Sequence, residues 1–153
     1  MASPTEPLQS FFDRAPCREA VGPLGTGTQI RIKTFAGEIL TLKKQFSGVA
    51  ITEGDCTEAD LTVTLGEKSV PALLAIQAAD VGDVGVEILK LMAHADPEVK
   101  IRCKVHVGLF GFLRNGYLGI LPLGGMKVTQ FLASKGLSGL GKIKAAIDSL
   151  RRE

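Results

Sequence analysis

The sequence predicts an α+β fold, a five-stranded and mostly antiparallel sheet with helices gathered on one face. Three observations predict it. Short segments between residues 29 and 65 alternate apolar and polar side chains, which is how a strand reads when one face is buried and the other wet. Segments near residues 70 and 90 carry apolar residues at helical spacing instead. The strands come in a run and the helices stand apart from them, as in a sheet covered on one side. The length of 153 residues fits one domain. With 45% hydrophobic residues, one Tyr and no Trp, the composition gives an aliphatic core and excludes disorder for most of the chain.

Each element follows in order. Leu8, Phe11 and Phe12 predict a short N-terminal helix that Pro16 breaks, and residues 22–28, GPLGTGT, form a loop. Ile30 and Ile32 alternate with Arg31 and Lys33, and Leu40 and Leu42 with Thr41 and Lys43. Val49 and Ile51 follow Gly48, and Leu61, Val63 and Leu65 alternate with Thr62 and Thr64. Ala36-Gly37 and Ser47-Gly48 suit tight hairpins, while EGDCTEAD is a longer polar turn. In SVPALLAIQA, residues 69–78, a proline stands near a helix start. Val84, Ile88, Leu91 and Met92 place a second helix at 83–94, which Asp96-Pro97 ends. The clearest strand is 99–107, VKIRCKVHV, with Val99, Ile101, Cys103, Val105 and Val107 on one face and Lys100, Arg102, Lys104 and His106 on the other. Helices at about 127–135 and 141–152 complete the chain, divided by GLSGLG.

Charge is polarised along the chain. Residues 1–98 hold 14 acidic against 8 basic residues, whereas 99–153 hold 2 against 10. Such asymmetry points to an anionic partner, or to a basic face that pairs with the acidic half of the same molecule. Three scattered cysteines, Cys17, Cys56 and Cys103, fit reduced thiols in a cytoplasmic setting. The N-terminal residues have acidic Glu6 and Asp13 and no long apolar run, so no secretory signal is expected.

No catalytic constellation emerges. Gly136 to Lys142 matches a phosphate-binding loop until Ile143 stands where Ser or Thr should hold magnesium, and it follows a helical pattern, not a strand. GTGT at 25–28 precedes a strand, which excludes the dinucleotide-binding turn. Cys103 and His106 lie three apart on a strand, point to opposite faces and cannot act as nucleophile and base. His94, near a helix end, is expected to bond terminal carbonyls or complement the dipole. Glu53, Asp55, Glu58 and Asp60 lack the spacing of a calcium loop and read as a solvated turn. Neither a metal nor a cofactor is expected, since two histidines and three lone cysteines make no closed zinc set.

The unusual segment is 107–125, VGLFGFLRNGYLGILPLGG, with six glycines and Arg114 as its one charge. An arginine mid-span costs about 2.5–3.5 kcal/mol on insertion scales, and Pro122 weakens the helix further, which argues against a membrane crossing. Two readings stay open: a buried hinge-rich segment, or the wall of a lipid cavity.

The run from TQIRIKTFAGEILTLKKQFSGVAITEGDCTEADLTVTLGEKSVPALLAI through a helix to VKIRCKVHVGLFGFLRNGYL resembles the sterol carrier protein 2 family. There a strand meander ends in a strand like ADLTVTL, followed by helices, a basic strand like VKIRCKV and a glycine-containing apolar helix. The resemblance spans roughly residues 8–120 and rests on element order and short strings. It implies a carrier, with five strands and covering helices around an apolar tunnel for fatty acyl chains, acyl-CoA or sterols. Two departures are a longer, glycine-rich helix at 83–94 and added helices after residue 125. The ending SLRRE lacks the C-terminal tripeptide of peroxisomal members, so no peroxisomal address is expected.

The expectation is thus a single sterol carrier protein 2-like domain over 1–153, with additional C-terminal helices at about 126–153. It is a non-enzymatic binder or transporter of lipids, using an apolar cavity between sheet and helices. Candidate cavity residues are Leu74, Ile88, Leu91, Met92, Leu109, Phe110, Phe112, Leu113, Tyr117 and Leu118. Arg114 or Lys127 would pair with an anionic headgroup. At about 0.8 kcal/mol per buried methylene, a tail of about fourteen would gain on the order of 11 kcal/mol before ordering costs. The last helix would cap the cavity, rest on an anionic membrane or simply pack. Two alternatives are a nucleic-acid or anionic-surface module using Lys100, Arg102, Lys104 and His106, and a small acyl hydrolase or transferase. Nucleic acid is disfavoured because that face offers no aromatic residue for bases to stack on.

Overall fold

The alternating segments fold into one sheet because every strand offers an aliphatic side that must leave water. The computed structural model describes residues 4–107 and 120–136, together with positions 142, 145, 146 and 149. In order, the elements are α1 (Thr5–Phe12), α2 (Ala15–Val21), β1 (Gln29–Lys33), β2 (Ile39–Lys44), β3 (Val49–Glu53) and β4 (Leu61–Thr64). Then come α3 (Ser69–Leu74), α4 (Val81–Met92), β5 (Arg102–Val105) and α5 (Ile120–Ser134). The sheet order is β3-β2-β1-β4-β5, antiparallel except where β4 lies parallel to β1. The fold class is the expected one. Glycines at φ +89° (Gly37) and +84° (Gly48) close the two hairpins.

Register sets the two faces. Ile32 stands between Leu40 and Val63, and Leu42 between Ile30 and Ile51, so these side chains share one face. They form a single core with Leu8 and Phe11 of α1, Cys17 of α2, Leu73 of α3 and Leu91 of α4. All helices that contribute to this core cover that face. The polar turn 54–60 carries the chain back from the edge strand β3 to flank β1, and it does so across the other face. Thr41 Oγ1 donates to the Gly54 carbonyl at 2.8 Å, and Arg31 Nε meets Asp55 at 2.6 Å. The turn is therefore less solvated than its sequence suggests, and Asp60 within it is buried.

Several local readings change. Pro16 opens α2 instead of only ending α1, since the first turn of a helix has no use for its missing N–H. The helix expected at 83–94 begins earlier, because the Asp80 carboxylate accepts the Asp83 N–H at 2.9 Å and caps it. The strand expected over 99–107 pairs only over Arg102–Val105. Its first residues are held otherwise: Val99 and Lys100 donate to the Asp96 carbonyl, and Ile101 donates to the Leu91 carbonyl. Side-chain alternation persists there without ladder bonds. His94 Nδ1 accepts the Asp96 N–H at 3.0 Å, so the ring serves as an acceptor and not as a donor to helix carbonyls. The last described helix starts at Ile120, ahead of the expected 127, with a break at Gly125 (φ 61°, ψ −149°).

Polar side chains finish what the ladder leaves open. Gln9 of α1 behaves like a strand partner for the edge strand β3: its Nε2 donates to the Val49 carbonyl at 2.8 Å and its Oε1 accepts the Ile51 N–H at 2.7 Å. An edge covered in this way is closed to other chains. Ser69, with no exposed surface, accepts the Gly66 N–H and donates to the Val99 carbonyl, tying α3 to the approach to β5. Arg14 donates to the carbonyls of Leu74 and Ile76 at the end of α3, at 2.9 Å each. Lys44, also buried, reaches the Leu24 carbonyl at 3.3 Å.

On the open face His106 Nε2 lies 2.6 Å from Thr62 Oγ1, while Cys103 stands on the core side opposite Val63. The opposite-face expectation holds. Burial raises the Cys103 thiol to about 11, so it stays protonated. Desolvation lowers the His106 pKa, and the charges of Arg31, Lys104 and Lys33 lower it further.

Two predictions follow from these contacts. Gln9→Ala strands two backbone groups of the edge strand and is expected to cost about 1–3 kcal/mol in denaturant unfolding; an unchanged midpoint would contradict this role. Because the His106 pKa is lower folded than unfolded, the unfolded chain binds more protons between the two values. Stability is then full at neutral pH and falls as pH drops below about 6.5 through the folded value. His106→Gln is expected to flatten that part of the stability profile, and an equally steep profile would count against it.

Candidate functional site

Leu8, Phe11, Leu73 and Leu91 pack into the core on the sheet face, and among the described residues a cavity lies one layer out, among helices. A cavity of about 260 Å³ opens between α1, α2, α4 and α5. Phe11 and Phe12 come from α1, and Cys17, Ala20 and Val21 from α2. Val81, Val84, Gly85, Ile88 and Leu89 come from α4, and Val128 from α5. None of these walls is a strand residue, so among the described residues the cavity does not lie between sheet and helices as expected. The space against the sheet is already taken by Leu8, Phe11, Leu73 and Leu91.

Local sequence explains the shape. Two aromatic rings side by side in α1 meet edge to face, with centroids 5.3 Å apart and planes at 81°. The Arg14 guanidinium sits 5.2 Å from the Phe11 ring centre and fixes the turn between α1 and α2. Ala20 is a small residue where α2 faces α4. On α4, Gly85 has no side chain to hold α5 away: a Cβ there would lie 2.9 Å from a Val128 methyl. Close helix approach at that point, with small or branched residues around it, leaves a gap that no large side chain enters.

The chemistry of the walls is uniformly apolar. Cys17 brings the one thiol, and burial raises its pKa against the opposing charge of Arg14, so it is protonated and unreactive. No group of three His, Cys, Asp or Glu residues able to hold a metal occurs among the described residues. Charge appears one residue outside the lining. Lys127 Nζ lies 2.8 Å from Asp83 and 3.1 Å from Asp80, joining the start of α4 to α5. Bonds from Asp83 N–H and then from Lys127 hold the Asp80 carboxyl below its ordinary pKa, and the two carboxylates raise that of Lys127. This cluster is exposed, so its worth is modest and its effect is mainly to fix the seating of α5.

Of the residues proposed from sequence, Ile88 lies in the cavity wall. Leu91 is buried in the sheet-side core, with Leu74 and Met92 packed against that core. Lys127, proposed to meet a headgroup, has its ammonium on two carboxylates of its own chain. Leu109, Phe110, Phe112, Leu113, Arg114, Tyr117 and Leu118 lie outside the described residues. So does most of the glycine-rich string between Gly136 and Lys142. The walls from α1 and α2 were missed. A signal existed in Gly82 and Gly85, three apart on an otherwise apolar helix, which marks a face thinned of side chains. Among the described residues, no helix is long and apolar enough to cross a membrane.

The element order that carries the resemblance to the sterol carrier protein 2 family is present: a meander, a fourth strand at 61–64, helices, then the basic fifth strand. No protein-family profile and no curated protein matches the chain. Among solved structures, the chain is similar to one titled UbiJ-SCP2 Ubiquinone synthesis protein, at 16% identity over 78% of this chain and 90% of that one, with a TM-score of 0.44.

Proposed function

We propose that this protein is a non-enzymatic lipid carrier that takes a stretch of hydrocarbon into the cavity between α1, α2, α4 and α5. The observation that supports it is the wall chemistry: aliphatic and aromatic side chains with one protonated thiol. Water gains no hydrogen-bond partners in such a space, and an engineered apolar cavity of about 150 Å³ stays dry and takes benzene. At about 260 Å³ the present cavity is larger than that and just below the range of roughly 300–1,000 Å³ typical of small-molecule sites. It suits a segment of chain, not a whole fourteen-carbon tail. About six methylenes at about 0.8 kcal/mol each would contribute roughly 5 kcal/mol before ordering costs. The element order that resembles the sterol carrier protein 2 family points the same way. Candidate ligands are fatty acyl chains, acyl-CoA and sterols, and Phe110, Phe112 and Tyr117 remain candidates for further wall.

Ala20→Phe places a ring in the gap and is expected to weaken binding of a fluorescent fatty acid by about tenfold or more while leaving the melting temperature equal or higher. Unchanged uptake with the fold intact would remove the cavity from the account. Phe112→Asp tests the glycine-rich segment separately: weaker uptake is expected with the fold retained, and wild-type uptake would exclude that side chain from the wall.

A further inference from the structure

Among the described residues no helix covers the second face of the sheet, which is basic, and several of its cations form no ion pair there. Register places Lys33 beside Thr64 and Thr64 beside Arg102, with Lys104 next to Thr62 in the adjoining row. Lys33, Arg102 and Lys104 are all exposed, and none forms an ion pair among the described residues. This sets them apart from Lys68, Lys90 and Lys127, each of which meets a carboxylate. Arg31, on the same face, is matched by Asp55. Desolvation lowers the His106 pKa first, and the nearby charges of Arg31, Lys104 and Lys33 lower it further.

Among the described residues, the two strongly exposed phenylalanines stand at the two hairpin tips that bound the sheet. Phe35 is 67% exposed in the turn after Lys33, and Phe46 is 96% exposed in the turn after Lys44. Phenylalanines held in water at turn tips cost free energy unless something apolar receives them. Lysine and arginine stand between threonines in a row across this face. It has no Phe, Tyr or Trp between the cations on which a base could stack. A surface that is anionic and apolar just beneath meets both requirements.

We propose that the open sheet face docks on an anionic lipid bilayer, with Lys33, Arg102 and Lys104 against the headgroups and Phe35 at the margin entering the interface. The proposal does not depend on the cavity. The test is co-sedimentation of the full chain with vesicles of phosphatidylcholine alone and of phosphatidylcholine with one-third phosphatidylserine. Binding to the second but not the first is expected, weakening steeply toward about 0.5 M salt. The triple variant Lys33→Gln, Arg102→Gln, Lys104→Gln is expected to lose about tenfold or more in vesicle affinity. Its fatty-acid uptake is expected to remain unchanged, which separates docking from cavity binding. Phe35→Ser is expected to weaken the salt-resistant remainder. Equal binding to both vesicles, no binding to either, or wild-type affinity in the triple variant would overturn the proposal. Tighter binding of the same face to a single-stranded oligonucleotide, lost in the triple variant, would overturn it in favour of nucleic acid.

Discussion

The structure depends on one constraint: a sheet with an aliphatic side can exist in water only if something covers that side. Ile32, Leu40, Leu42 and Ile51 supply the side, and the cover comes from two distant parts of the chain, α1 and α2 before the sheet and α3 and α4 within it. Because the covering helices reach the sheet through large residues such as Leu8, Phe11 and Leu91, the contact with the sheet is solid. The shortage of bulk appears one layer further out. There Ala20, Gly85 and four valines meet across α2, α4 and α5, and space remains. An apolar gap between helices loses dispersion contacts on its walls. A carrier tolerates that loss because the guest restores them.

The sheet was legible because period-two alternation reports burial directly, and four of its strands lie where the alternation puts them. The fifth was overread. Residues 99–101 alternate as strand residues do, but their N–H groups are claimed by Asp96 and Leu91, and side-chain pattern carries no information on backbone partners. The parallel pairing of β4 with β1 was also hidden, since it depends on where a polar turn crosses the sheet. Gln9 could not have been found from sequence: its role exists only because α1 lies along the outer edge of β3. For the candidate cavity residues that are described, spacing carried less information. Helical spacing identified Ile88 and Leu91 as apolar, but only Ile88 of the two lines the cavity, while Leu91 is buried in the core. Spacing alone does not say which neighbour an apolar residue meets.

Polarised charge along the sequence becomes polarised charge on the molecule. The late basic strand β5 lands beside β4 with its cations on the open face, where Arg31 and Lys33 of β1 and Lys43 of β2 join them. Acidic residues of the first half are engaged elsewhere: Asp80 and Asp83 with Lys127, Glu98 with Lys68, Asp55 with Arg31. The expectation that basic residues pair with the acidic half of the same chain therefore holds for Lys127 and Arg31, and among the described residues not for Lys33, Arg102 or Lys104. One side of the molecule is thus suited to hydrocarbon and the other to anions. In the proposed carrier, the two would act together.

Methyl NMR with a spin-labelled fatty acid tests the central claim most directly, because it reads which side chains surround the guest. The account predicts broadening of the Val81, Val84, Ile88, Leu89 and Val128 methyls, with Ile32, Leu40 and Leu42 on the sheet unaffected. Broadening that begins at the sheet-face methyls, or none at saturating fatty acid, would contradict it.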